Sequence, residues 1–230
     1  MEAEKLTGVV ELIKESFRIY FKKENFIYFI KIALINILVA LILLTPTILF
    51  SLSLRKDTPF EQGFGILGFI FLLSIPFYIA ALWLYASTIK AVSVVVGGNV
   101  LGIKETLSAG WKRLGNFFIA GVLVILAVLG GSLLFIIPGI IFGVWFFFAQ
   151  FVAVTEGLGG RASLSRSKEL VSGYFWPISG RLFVLGLVAF IIQLVVDFIP
   201  FVGPVIAILL TPYYLLLPYL LYEDLKRVKG

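Results

Sequence analysis

Phe151–Gly180 reads FVAVTEGLGGRASLSRSKELVSGYFWPISG, and its reading decides the architecture. It opens as the tail of an apolar helix and breaks at Gly157-Leu158-Gly159-Gly160. A short charged segment follows, in which Leu164, Ser167, Leu170, Val171 and Tyr174 share one helical face, with Arg161, Arg166, Lys168 and Glu169 opposite. The aromatic cluster Tyr174-Phe175-Trp176-Pro177 then opens another apolar run. This is the order expected of a chain that leaves a membrane, lies along its surface and re-enters.

Outward from this stretch, apolar runs of about twenty residues recur. The 230-residue chain is 60% hydrophobic with mean hydropathy +1.08 and 14% charged residues, against about 25% charged in soluble domains. Six spans are expected, at about 26–54, 64–96, 117–137, 139–155, 176–198 and 205–222. The second is longer than a bilayer requires. Pro76 is placed to kink it, and Lys90 suggests that its last turns emerge. Tight turns are expected at Pro138-Gly139 and over 199–204, and a first loop over Ser51–Gly63. The runs are continuous rather than alternating, so the class is all-α.

All but two of the 19 Lys and Arg fall on one side of this layout, the exceptions being Arg55 and Lys56. Basic loops stay cytoplasmic, so both termini are expected there. Residues 1–25 carry Glu2 and Glu4 and read as a surface helix rather than a cleavable leader. Leu6, Val9, Val10, Ile13, Phe17, Tyr20 and Phe21 form its apolar stripe, and Leu12 and Ile19 fall off it. The chain lacks Cys and His. That removes disulfides, thiol nucleophiles, His-based triads, and Cys or His metal sites; no cofactor is expected. Net charge +6 points to anionic lipid headgroups rather than nucleic acid. Homo-oligomers and protein partners stay open.

The surface segment repeats. Leu101-Gly102-Ile103-Lys104-Glu105-Thr106-Leu107-Ser108 aligns without a gap on Leu158-Gly159-Gly160-Arg161-Ala162-Ser163-Leu164-Ser165, 57 positions later, and Gly110 falls on Ser167. A fainter copy places Ile13, Ser16 and Tyr20 on Leu107, Gly110 and Leu114. The expected organisation is three parallel repeats of surface helix plus helix pair, over 1–98, 99–157 and 158–230. Gly102, Leu107, Gly110, Gly159, Leu164, Ser167 and Trp176 are its structural motif. Ser16, Gly110 and Ser167 would let each surface helix lie close to the span beneath.

Glu156, Ser163, Leu164, Ser167, Leu170, Val171, Gly173, Phe175 and Trp176 also fit E-x-x-x-x-x-A/S-L-x-x-S-x-x-L-V-x-G-x-F/W-W. This pattern resembles that of a bacterial and archaeal group. The group comprises the membrane domain attached to some glycerophosphodiester phosphodiesterases and the uncharacterised YciC-like inner-membrane proteins. Leu221-Tyr222-Glu223-Asp224-Leu225-Lys226 resembles the usual end of such domains. The resemblance implies a six-span fold in a prokaryotic cytoplasmic membrane. It implies no chemistry, because the phosphodiesterase reaction belongs to a separate barrel with catalytic His.

Lys104, Arg113, Arg161, Arg166, Lys168 and Arg181 are the candidate headgroup ligands, and a plain topology signal explains the same residues. Glu156 reads as a proton acceptor or as the partner of Arg161 or Arg166. Lys90 reads as a pathway residue or as a cation snorkelling to the surface. Asn36, Gln150 and Gln193 are polar positions within spans, and Asp197 lies at a span end. Gly139-x-x-x-Gly143 would serve helix packing or dimerisation. The expected function is that of a non-catalytic, lipid-interacting or accessory membrane module. The alternatives are a small-solute transporter or channel, marked by mid-span polar residues converging on a cavity, and an intramembrane lipid enzyme, marked by acids clustered with Ser or Tyr.

Overall fold

The computed structural model describes residues 6–53, 60–99, 101–200 and 202–229. Among them are nine helices and no strand: α1 (Val9–Phe21), α2 (Lys23–Ser53), α3 (Phe60–Val96), α4 (Ile103–Leu134), α5 (Ile136–Phe146), α6 (Ala149–Thr155), α7 (Gly160–Val171), α8 (Phe175–Asp197) and α9 (Gly203–Lys229). Six stretches of helix are long and apolar enough to cross a membrane: one each in α2, α3, α4, α8 and α9, and one formed by α5 and α6 together. Arg55 and Lys56 lie outside the described residues.

α3 and α9 are the centre of the bundle, with half of each span's residues buried, whereas 11% of α8 is buried. The starts of α2, α4 and α8 and the ends of α3, α6 and α9 gather at one end with α1 and α7. Cross-links there include Tyr28 Oη to Thr106 Oγ1 at 2.6 Å and Trp83 Nε1 donating to the Leu107 carbonyl at 2.8 Å. This is the basic end.

Four expectations are corrected by the helices themselves. α4 runs unbroken from Ile103 to Leu134, so the second surface helix is the first third of a span rather than a separate element. At 1.5 Å per residue its 32 residues extend about 48 Å, well beyond a hydrocarbon layer of about 30 Å. Gly102 stands just before it, and its N–H donates to Glu105 Oε2, which anchors the start. Second, the turn into the fourth span is Phe135, extended at φ −162° and ψ 154°. Pro138 sits in the first turn of α5, where a missing N–H costs no hydrogen bond. Third, that span is interrupted at Phe147-Phe148 between α5 and α6. Finally, α2 stays helical through Ser53, beyond the expected loop start.

The stripe on α1 also differs. Leu12, Ser16 and Tyr20 face the protein, with Leu12 only 2% exposed, whereas Val10, Phe17 and Phe21 point outward at 67%, 56% and 50%. Leu12 and Ile19 belong to the protein contact. The apolar residues of α1 thus form a wider arc than a single stripe, one flank packed on the protein and another exposed.

Small residues set the closest approaches. A Cβ on Gly110 would lie 2.1 Å from Ser87 Oγ and 2.8 Å from Ser87 Cα, so α3 and α4 meet there almost backbone to backbone. Gly139 packs likewise on Ser132 within the α4–α5 hairpin. Gly157 has φ +74°, and a side chain there would run into the Arg113 guanidinium.

Candidate functional site

At the basic end α6 delivers Glu156 to the last turns of α9. Tyr222 Oη donates to Glu156 Oε1, and Thr155 Oγ1 lies 3.2 Å from the same hydroxyl. Arg166 of α7 closes the group, with Nε 3.5 Å from Glu156 Oε2 and Nη1 3.1 Å from Glu169 Oε2. The hydrogen bond that Arg166 donates to Glu169, aided by the nearby Glu156 carboxylate against partial desolvation, raises the Arg166 guanidinium above its ordinary pKa. Beside Tyr222 on α9, Glu223 accepts from Tyr219 Oη at 2.7 Å and pairs with Lys226 at 3.3 Å. Acids and tyrosines thus do gather here, and both Glu156 and Glu223 are held by partners. The sequence reading named Arg161 or Arg166 for Glu156; the structure selects Arg166 and adds Tyr222, for which no role had been inferred. Among the described residues no group of three acids is placed to hold a metal ion.

The six candidate headgroup ligands divide. Arg181 turns inward: its Nε donates to the Thr7 carbonyl at 3.0 Å, Nη2 to Leu6 at 3.1 Å and Nη1 to Pro177 at 3.1 Å. Asp224 grips the same segment from α9, accepting the Thr7 N–H at 2.7 Å and the Thr7 hydroxyl at 2.8 Å, and it pairs with Arg227. Arg113 reaches the Gly157 carbonyl at 3.4 Å, which also accepts from Asn116 at 3.0 Å. Lys168 lies 4.4 Å over the Trp145 ring. Lys104 and Arg161 are exposed and hold no ion pair among the described residues. Leu107 and Leu164 are half-buried, Gly159 is exposed, and Trp176 projects outward at the start of α8, 81% exposed.

Ser167 has a role beyond being small. Its Oγ accepts the Phe148 N–H at 3.2 Å and donates to the Trp145 carbonyl at 2.8 Å, so it bridges the two halves of the interrupted span.

The mid-span polar residues do not meet in one cavity but fall in and beside two adjoining ones. A cavity of about 610 Å³ lies between α3, α4, α5, α6 and α9, with Gln150, Tyr85 and Thr211 among its lining. A smaller one of about 180 Å³ lies between α2, α3 and α9, lined by Asn36 and Thr88 and again by Tyr85 and Thr211. Gln193 stands one step away, accepting from Tyr214 at 3.3 Å and donating to Asp197 at 2.6 Å. The amides of Asn36 and Gln150 have no hydrogen-bond partner among the described residues. Half-buried Lys90 lines neither cavity. Tyr85 and Thr211 had not been singled out: a lone Tyr or Thr in an apolar run carries no periodic signal.

No protein-family model, curated protein or solved structure matches this chain.

Proposed function

We infer that this chain is a non-catalytic, lipid-interacting accessory module of a prokaryotic cytoplasmic membrane, crossing it six times with both termini inside. The observation that carries the reading is α1. Its outward Val10, Phe17 and Phe21 are flanked by Lys14, Arg18 and Lys22 and backed by a flank buried against the protein. Apolar residues beside cations on one exposed helix face suit the boundary between acyl chains and anionic headgroups. Trp111 and Trp176, both outward, suit an aromatic belt. The carboxylates of Glu156 and Glu223, each tied to a tyrosine and a cation, support a structural role for that cluster. The three-repeat organisation is part of this proposal. Its support is that Ser16, Gly110 and Ser167 are all buried at helix contacts. The resemblance to the phosphodiesterase-attached and YciC-like membrane domains implies the same fold and adds no reaction.

The test is mass spectrometry of lipids retained in mild detergent by the protein and by a Lys104→Ala/Arg161→Ala variant. A defined anionic phospholipid held by the first and lost by the second supports the reading. Equal retention, or none, sinks the basic rim as a lipid site.

A second reading, small-solute transport, rests on the two adjoining cavities. Against it, the polar positions are divided, Asn36 lining one cavity and Gln150 the other, while Lys90 and Gln193 line neither. A solute pathway needs polar groups at successive depths. Solute uptake by proteoliposomes would favour transport over the accessory role.

A further inference from the structure

The larger cavity has the properties of a ligand site entered sideways from the bilayer. Its volume of about 610 Å³ is in the range of small-molecule pockets. No charged residue lines it, so its occupant is neutral. Its rim includes Ile125 and Phe147, which are exposed on the outside of the bundle, where acyl chains would lie. One wall is the end of α5, shaped by the interruption that Ser167 bridges. Gly143 opens the floor, with nothing within 4 Å of where its Cβ would stand, and Gly121 leaves room for the Gln150 side chain.

Polarity narrows the occupant further. The Gln150 amide carries a donor and an acceptor, neither used among the described residues, and Tyr85, whose hydroxyl is likewise unused among them, is a lining residue of the same space. Within hydrocarbon such groups lack water, and leaving them unpaired is costly. A bare acyl chain would fill the volume and leave the amide unsatisfied.

We propose that this cleft binds one uncharged, chain-bearing amphiphile of the membrane through its carbonyl or hydroxyl group, which hydrogen-bonds to Gln150 and Tyr85. The inference deepens the lipid-interacting reading and rests on it. A diacylglycerol, a polyprenol and a prenylated quinone share this chemistry. The same molecule bound at the surface would leave the amide where it was.

The experiment uses the full chain in phosphatidylcholine nanodiscs, with photo-activatable diacylglycerol, polyprenol and prenylquinone probes offered separately. A phosphatidylcholine carrying the same photo-group in its acyl chain serves as control. Saturable labelling of segments 143–151 and 211–218 by at least one neutral probe is expected, displaced by its unlabelled counterpart. Gly143→Leu should abolish it by filling the floor, and Gln150→Leu should weaken apparent affinity about tenfold. Both variants should keep the parent's melting temperature within a few degrees; if Gly143→Leu unfolds, Gln150→Leu carries the test alone. The proposal is overturned if the control phospholipid labels equally well, if labelling ignores both substitutions, or if water alone occupies the cleft and no probe labels it. Anionic-lipid retention on the same samples separates the two readings: a loaded rim with an unlabelled cleft removes only the cleft.

Discussion

Ser167 Oγ accepts the backbone N–H of Phe148 and so repairs, from a neighbouring helix, a hydrogen bond that the fourth span does not make for itself. The same oxygen donates to Trp145, and Lys168, the next residue, stacks on the Trp145 ring. Surface helix α7 therefore holds the interrupted span from outside. Ser167→Ala should strand a buried donor and acceptor and cost about 1–3 kcal/mol. Ser167→Phe should cost more by overfilling a fully buried site. Thermal melting in detergent reads both; an unshifted Ser167→Ala would mean that the bridge contributes nothing.

Gly110 offers a paired comparison. Gly110→Ala should destabilise by about 1–3 kcal/mol, because the new methyl meets Ser87 backbone as well as its hydroxyl. Ser87→Gly should fail to rescue it, since the Cα and N of residue 87 remain at 2.8 Å. Gly115→Ala, five residues along the same helix with open space around its Cβ, should be neutral or stabilise by up to about 1 kcal/mol. Equal losses at both glycines would refute the close α3–α4 contact.

The clamp on Leu6-Thr7 predicts a local effect. Arg181→Ala or Asp224→Asn should release the segment before α1, seen as faster proteolysis and hydrogen exchange there. Because both side chains grip the same residue, the double variant should release it little further than either single one. Additive losses would mean two independent supports.

Orientation is checked by cysteines, clean here because the chain has none of its own. A cysteine replacing Phe135 or Phe198, both exposed at the end opposite the basic rim, should react with an impermeant reagent on intact cells. One at exposed Ser165 should react only after permeabilisation. Gly203 is unsuited as a site, since its Cβ would lie 2.6 Å from the Val196 carbonyl. The reverse pattern would turn the protein over.

The spans were readable because apolar length is a local property, and Ser16, Gly110 and Ser167 because the repeat put small residues in register. The interruption at Phe147-Phe148 was not. The Ser167 hydroxyl that takes up the Phe148 N–H lies 19 residues away, and the local sequence FFF is apolar throughout. The α1 stripe was misassigned because a wheel divides apolar from polar but cannot divide protein from lipid; Leu12 and Phe17 look alike until α9 is placed. The chemistry of Glu156 was half legible, since Arg166 is close in sequence whereas Tyr222 is 66 residues away. The placement of Asn36, Tyr85, Gln150 and Thr211 around two adjoining cavities depends on how α2, α3, α6 and α9 are arranged around one another, which no single segment encodes.

The distance along the chain between Thr7 and its anchors has a consequence for biosynthesis. The Thr7–Asp224 bond closes over 217 residues, and Tyr20 Oη to the Leu209 carbonyl over 189. At about 5–20 residues per second of translation, α1 waits roughly 10–40 s for α9. During that time the flank bearing Leu12 and Tyr20 lacks α9, and Tyr20 has the Phe26 and Phe29 rings of α2 against it. A ribosome stalled before α9 would leave a chain whose α1 is held at Leu6-Thr7 by Arg181 but not by Asp224, a half-fastened helix that a quality-control protease could recognise.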